Sequence, residues 1–230
     1  MAFPLTHLCV AWRILENHPM NKKEAAQFLL GSIAPDAVHY RGEFQGAAKK
    51  NIGATKKISH LCPVSDEKWG QVTDNEGWVE CIKNFLRDNP NDAFAAGYAV
   101  HALTDLYNNH TIWNDFRTNH PAEAAKGYAS SYYKDLFNID ARLYYDFPAV
   151  SQMMELLSKS IATEMPGLVS ADETNAIKNN LLHEHFKNNT YDQNHHHRFV
   201  TYEDNINFIE AAAEYSANIV FPFFKQRDII

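Results

Sequence analysis

Apolar residues recur at helical spacing through most of the 230-residue chain, while alternating Val-, Ile- and Thr-rich runs bounded by turn dipeptides are scarce. This pattern predicts an all-α fold. A first helix is expected over 5–17. Asn21 followed by Glu24 reads as a capping pair for a second helix that must stop before Pro35. Further helices are expected over 75–88, 92–117, 121–137, 148–160, 172–188 and 203–220, with Asp92, Asp172 and Thr201 as caps. The segment Phe94–Asn109, FAAGYAVHALTDLYNN, is apolar around nearly its whole circumference, which marks a central helix enclosed by others. Residues 36–59 break the pattern. With Gly42, Gly46, Gly53 and the pairs Lys49-Lys50 and Lys56-Lys57, they read as a long surface excursion. No repeat, linker or shift of composition divides the chain, so residues 1–230 are expected to form one multi-helix bundle.

Composition narrows the function classes. A hydrophobic content of 45% is that of an ordinary packed core. Against 28 Asp and Glu stand 21 Lys and Arg, a formal net charge of −7, which argues against a surface for duplex nucleic acid. No apolar run reaches the ~18 residues of a membrane span, so integral membrane association is not expected. The opening MAFPLTHLCVAWRILENH lacks a basic leader before its apolar stretch, and a cytoplasmic location is expected. Cys9, Cys62 and Cys81 have no close pairing and read as small apolar residues rather than a disulfide framework or thiolate site. Twelve histidines make metal ligation worth considering.

His101 and Asp105 are four apart on the central helix, so their side chains leave one face one turn from each other. That is chelating geometry, although the spacing alone is weak evidence and also suits a hydrogen-bonded Asp–His pair or an Asp capping a nearby group. Burying a carboxylate costs several kcal/mol unless it is paired or metal-bound. His7 in LTHLCVAW, Asp36 in GSIAPDAVHY and His60 in ISHLCP lie in similarly apolar surroundings. Taken singly, each also has a plain structural role: core histidine, turn residue after Pro35, helix-end histidine.

The pieces THLCVAW, FLLGSIAPDAVHY, KKISHLCP and AGYAVHALTDLYNNH, in that order, resemble the zinc-dependent phospholipase C family, whose relatives include zinc nucleases of single-stranded nucleic acid. They span His7 to His110; the second half offers no comparable match. The resemblance implies a phospholipase C/nuclease-like helical fold enclosing zinc. It implies one site formed by Asp36, His60, His101 and Asp105, with Asp105 bridging to a second metal held by His7, and His110 serving a further metal. The family's third site calls for a His-x-x-x-Glu pair after His110. None follows, so one or two ions, zinc or another divalent metal, are expected.

The function this suggests is metal-dependent hydrolysis of a small phosphoester by a metal-bound hydroxide, with Asp36 as ligand and general base. The alternative is a helical protein that holds a metal or anion without turnover. His39, three past Asp36, and Lys56 are candidate substrate-binding residues; Arg41, Lys49, Lys50 and Lys57 could also hold phosphate, or simply be solvated. The triplet His195-His196-His197 in DQNHHHRF reads as an exposed polar stretch. Aromatic residues of YASSYYKDLF, with Tyr144, Tyr145 and Phe147, read as core.

Overall fold

Capping side chains set several helix limits. The Asn21 side chain accepts the N–H groups of Lys23 and Glu24, and Asp92 those of Phe94 and Ala95. Thr201 and Asp204 cap each other's backbone reciprocally. At 170–173 the cap is Ser170, paired in the same way with Glu173, and not Asp172, which falls inside the first turn.

A computed structural model describes residues 3–42 and 52–224. In chain order its α-helices are α1 (Pro4–Asn17), α2 (Lys22–Gly31), α3 (Ile52–Ser59), α4 (Asn75–Asp88), α5 (Ala93–His110) and α6 (Ile112–Asn119). There follow α7 (Pro121–Ala124), α8 (Ser131–Asp146), α9 (Val150–Lys159), α10 (Ala171–His183), α11 (His185–Asn188) and α12 (Tyr202–Val220). A 3-10 turn covers Ala34–Tyr40. The described residues contain no strand beyond an isolated bridge between Met165 and Val169. None of their helices is long and apolar enough to cross a membrane.

Helix α5 is the centre, with every residue from Ala93 to Leu106 buried. Helices α1, α2, α4 and α12 pack around it. Its contact with α2 is backbone against backbone: a Cβ on Gly31 would lie 2.1 Å from the Phe94 carbonyl oxygen, and one on Gly97 would lie 2.0 Å from that of Phe28. Only glycine permits this approach.

Four stretches depart from the sequence-based expectation, one of them the helix expected over 172–188, which breaks at Glu184 (φ −124°, ψ −36°) into α10 and α11. The helix expected over 92–117 breaks at Thr111 (φ −110°, ψ −103°), whose hydroxyl bonds back to the Tyr107 carbonyl and offers the backbone an alternative to continuing. The helix expected over 121–137 is α7, a 3-10 turn and the start of α8, because the Ser130 side chain caps a new helix by accepting from Tyr133. The excursion expected over 36–59 is largely ordered where described, ending in α3. Lys49 and Lys50 lie outside the described residues. Among the aromatic residues read as core, Tyr132, Tyr133 and Phe147 are buried, while Tyr128, Phe137, Tyr144 and Tyr145 are exposed. Cys9 is buried, and Cys62 and Cys81 are half-buried; all three are free thiols.

Candidate metal centre

Five side chains from four segments meet on one face of α5. His101 and Asp105 come from α5 itself, His7 from α1, Asp36 from the 3-10 turn after Pro35, and His60 from the end of α3. The chain delivers His60 through a helix-ending turn. Leu61 sits in the left-handed region (φ 57°), its N–H bonds to the Ile58 carbonyl, and that of Cys62 to Lys57. Glycine is usual at the position of Leu61; the strain of a branched residue there costs about 1–2 kcal/mol. The Trp78 indole N–H then bonds the His60 carbonyl at 2.8 Å, and the Tyr98 hydroxyl bonds the Ser59 carbonyl.

Hydrogen bonds outside the cluster decide what its imidazoles present inside. His101 Nδ1 lies 2.7 Å from the Ser32 carbonyl, which can only accept, so Nδ1 carries the hydrogen and Nε2 a lone pair. Ser59 donates its hydroxyl to the Lys56 carbonyl and thereby accepts from His60 Nδ1 at 2.9 Å, which again leaves Nε2 as a lone pair. The two Nε2 atoms face each other at 3.1 Å. Burial pushes the pKa of both rings down, further for His101, where His7 adds to the effect; neighbouring carboxylates recover only part of it. Two neutral imidazoles therefore point acceptor at acceptor. Histidines that donate outward to a carbonyl or hydroxyl and aim the other nitrogen inward are the usual metal-ligating arrangement.

The carboxylates complete the set. His60 Nε2 is 3.4 Å from Asp36 Oδ1 and 3.5 Å from Asp105 Oδ2, and His7 Nε2 is 3.5 Å from Asp105 Oδ1. Ligands at ~2.0–2.2 Å from a tetrahedral ion lie roughly 3.3–3.6 Å from one another, so these separations fit one. His7, stacked on His101 at 3.7 Å and 1% exposed, has no short hydrogen-bond partner on either ring nitrogen, the nearest being Asp105 Oδ1 at 3.5 Å. Two groups could hold a metal ion: His7, His101 and Asp105, and Asp36, His60 and His101.

Lys56 modifies the charge. It is buried on α3, with its ammonium 2.8 Å from Asp36 Oδ1 and over the Trp69 ring, so it is a partner of the cluster and not a solvated loop lysine. Burial would lower its pKa, but Asp36 and then Asp105 raise it. Burial would raise the Asp36 carboxyl, yet the Lys56 ammonium above all holds it well below the usual range; burial would likewise raise Asp105, and His7 is the main group holding it down. Two carboxylates against one ammonium leave one net negative charge.

Comparison with family models, curated proteins and solved structures finds no match.

The cluster opens on two cavities. One of about 260 Å³ exposes Asp36, His39 and Lys56 beneath Phe3, Tyr128 and His185. A smaller one, about 70 Å³, reaches Asp105 between Trp69, Trp78 and Trp113. Larger grooves lie elsewhere, including one of about 550 Å³ beside Tyr107, Phe116 and Phe208, and none of the cluster residues lines it. His39 is at the rim, 3.7 Å from Asp36. His110 is not brought to the cluster: five residues past Asp105 it has turned roughly 140° around the helix, and its ring packs against Tyr107 and Tyr215. Arg41 is held by Glu173, and Lys57 by the carbonyls of Ser65 and Glu67. His195 is not simply exposed but bonds the buried Asp135 at 2.8 Å. The outer contacts, Ser32, Ser59 and Trp78, escaped the sequence reading because a backbone carbonyl or a lone serine carries no local pattern.

Proposed function

We propose that the chain is a zinc-dependent hydrolase of small phosphoesters, of the kind its sequence resembles, with His7, Asp36, His60, His101 and Asp105 holding one or two ions. The observation that supports it most is the 3.1 Å approach of two imidazole lone pairs flanked by the buried Asp105 and the partly exposed Asp36. A divalent ion there would supply Lewis acidity toward a phosphoryl oxygen and acidify a water molecule. The chain's own residues do the rest. Lys56 brings a fixed positive charge to the wall of the 260 Å³ cavity, where a phosphoryl group would enter, and His39 at the rim is placed to touch the ester. Asp36 and the two neutral imidazoles would hold the ion, and the aromatic walls limit water.

The test is elemental analysis of purified protein, followed by assay of zinc-loaded wild type and His101→Ala on a panel of phosphoesters. The expected result is about one or two ions per chain and chelator-sensitive turnover, with His101→Ala at least about 100-fold slower. Equal rates would end the hydrolytic reading.

A second reading, metal or anion binding without turnover, draws on the Lys56–Asp36 pair, which already neutralises one candidate ligand. Bound metal with no turnover by wild type on any ester would favour it.

A further inference from the structure

The cavity that exposes Asp36 and Lys56 has another wall, built by α8 and α11, and His185 stands in it. His185 Nε2 lies 2.9 Å from Oδ2 of Asp140, which is fully buried. The other oxygen of Asp140 accepts the Leu5 N–H at 2.9 Å. Helix α1 has no side-chain cap from its own flanking residue, Phe3, so Asp140 satisfies an orphan donor of its first turn. Tied at both ends, the carboxylate fixes the ring. Because it only accepts, Nε2 of His185 carries the bonded hydrogen, and Nδ1 is left as the position that exchanges a proton. The ring edge is steadied against Phe186, and the side chain is one-fifth exposed.

Resting on the hydrolase reading above, we propose that His185, oriented by Asp140, is the catalytic residue that protonates the leaving alcohol. In an in-line displacement the attacking and leaving oxygens lie on opposite sides of phosphorus. With the attacking water on the cluster side, the leaving oxygen points away from the ligands and toward the α8–α11 wall. As the water oxygen bonds to phosphorus, one water proton passes to solvent. The bond from phosphorus to the ester oxygen breaks with its electron pair on that oxygen, and the Nδ1 proton of the His185 imidazolium moves to it. Neutral His185 then regains a proton from solvent. Asp140 is a positioning residue.

A second Asp–His pair supplies the control. His195 bonds Asp135 at 2.8 Å but does not line the cavity of Asp36.

The experiment compares zinc-loaded wild type, His185→Gln and His195→Gln on phosphoesters that share one phosphoryl part and differ in the leaving alcohol, from 4-nitrophenol to ethanol. Nitrophenolate needs no proton to depart, and ethoxide does. His185→Gln is expected to lower kcat on the ethyl ester about 100-fold or more and on the nitrophenyl ester less than about threefold, with zinc content unchanged; His195→Gln should match wild type on both. Equal loss on both esters, no loss on either, or loss of zinc from His185→Gln would overturn the assignment while leaving the hydrolase reading in place. Absence of turnover by wild type on every ester would overturn that reading and this one with it. A readout independent of turnover is 15N NMR of the imidazoles in metal-free protein. It should show His185 protonated at Nε2, with an Nδ1 signal that shifts when inorganic phosphate is added. A ring protonated at Nδ1 alone, or indifferent to phosphate, would overturn the proposal.

Discussion

Two buried carboxylate sites in this molecule look alike in composition and differ in saturation. Asp135, 1% exposed, receives the backbone N–H groups of Arg198, Phe199 and Val200 on one oxygen and His195 on the other. Its donors come from a loop it pins to α8, and their geometry leaves no room for a further ligand. At the cluster on α5, Asp36 and Asp105 face imidazole nitrogens at 3.4–3.5 Å, and His7 finds no short hydrogen-bond partner. The first arrangement satisfies itself. The second has good ligands at ligand-to-ligand spacing, and that contrast, rather than the number of His and Asp residues, separates a structural ion pair from a candidate metal site.

The contrast can be broken by substitution. Asp135→Ala should destabilise the protein by about 3–5 kcal/mol, since it strands three amides and an imidazole. Zinc per folded chain should be unchanged, as read from thermal unfolding with elemental analysis. Equal loss of zinc would erase the distinction drawn between the two sites.

Acid should act mainly on the cluster. His60 and His101 have folded-state pKa values below their unfolded ones, so between those values the unfolded chain binds more protons and stability rises with pH. Their contribution is complete above ~6.5 and is lost as pH falls through the lower folded values. Bound zinc, competing with the same protons, should persist somewhat below the ordinary histidine range and then be released. A denaturation series from pH 7.5 to 4.5, run with and without zinc, checks this. Stability that is flat across that range would contradict neutral, inward-facing imidazoles.

The smallest effect is the most discriminating. His7→Leu in metal-free protein should cost no more than about 1 kcal/mol, because what the buried ring gives up is its long-range support of Asp105 rather than a short hydrogen bond, and the replacement is apolar. The same variant should lose part of its bound zinc. Destabilisation by 2 kcal/mol or more in the metal-free state would mark His7 as a structural residue of the Asp135 kind.

Much of the frame was legible along the chain. The apolar circumference of Phe94–Asn109 identified the central helix, and Asn21, Asp92 and Thr201 cap where expected because a cap is a local bond between near neighbours. His101 and Asp105 were legible as a pair for the same reason, and His7, Asp36 and His60 through the order of the segments that carry them. Order within 52–60 was not. Its stability comes from Lys56 reaching Asp36 and from a helix-ending turn around Leu61, where no glycine announces it. Asp140 and His185, 45 residues apart, share no period and meet only because α8 and α11 do. His110 looked like a continuation of the ligand helix and is turned away by simple rotation.

The contact between α2 and α5 has neither charge nor side chain. Where Gly31 and Gly97 let α2 and α5 touch, the next residue of the chain, Ser32, offers its carbonyl to His101. A single methyl group on either glycine would collide with main-chain oxygen and wedge the two helices apart, drawing that carbonyl off the imidazole and freeing the ring to turn over. The aim of a candidate ligand is thus governed by two positions that have nothing to coordinate with, so random mutagenesis scored on metal retention should return hits at Gly31 and Gly97 alongside the histidines themselves.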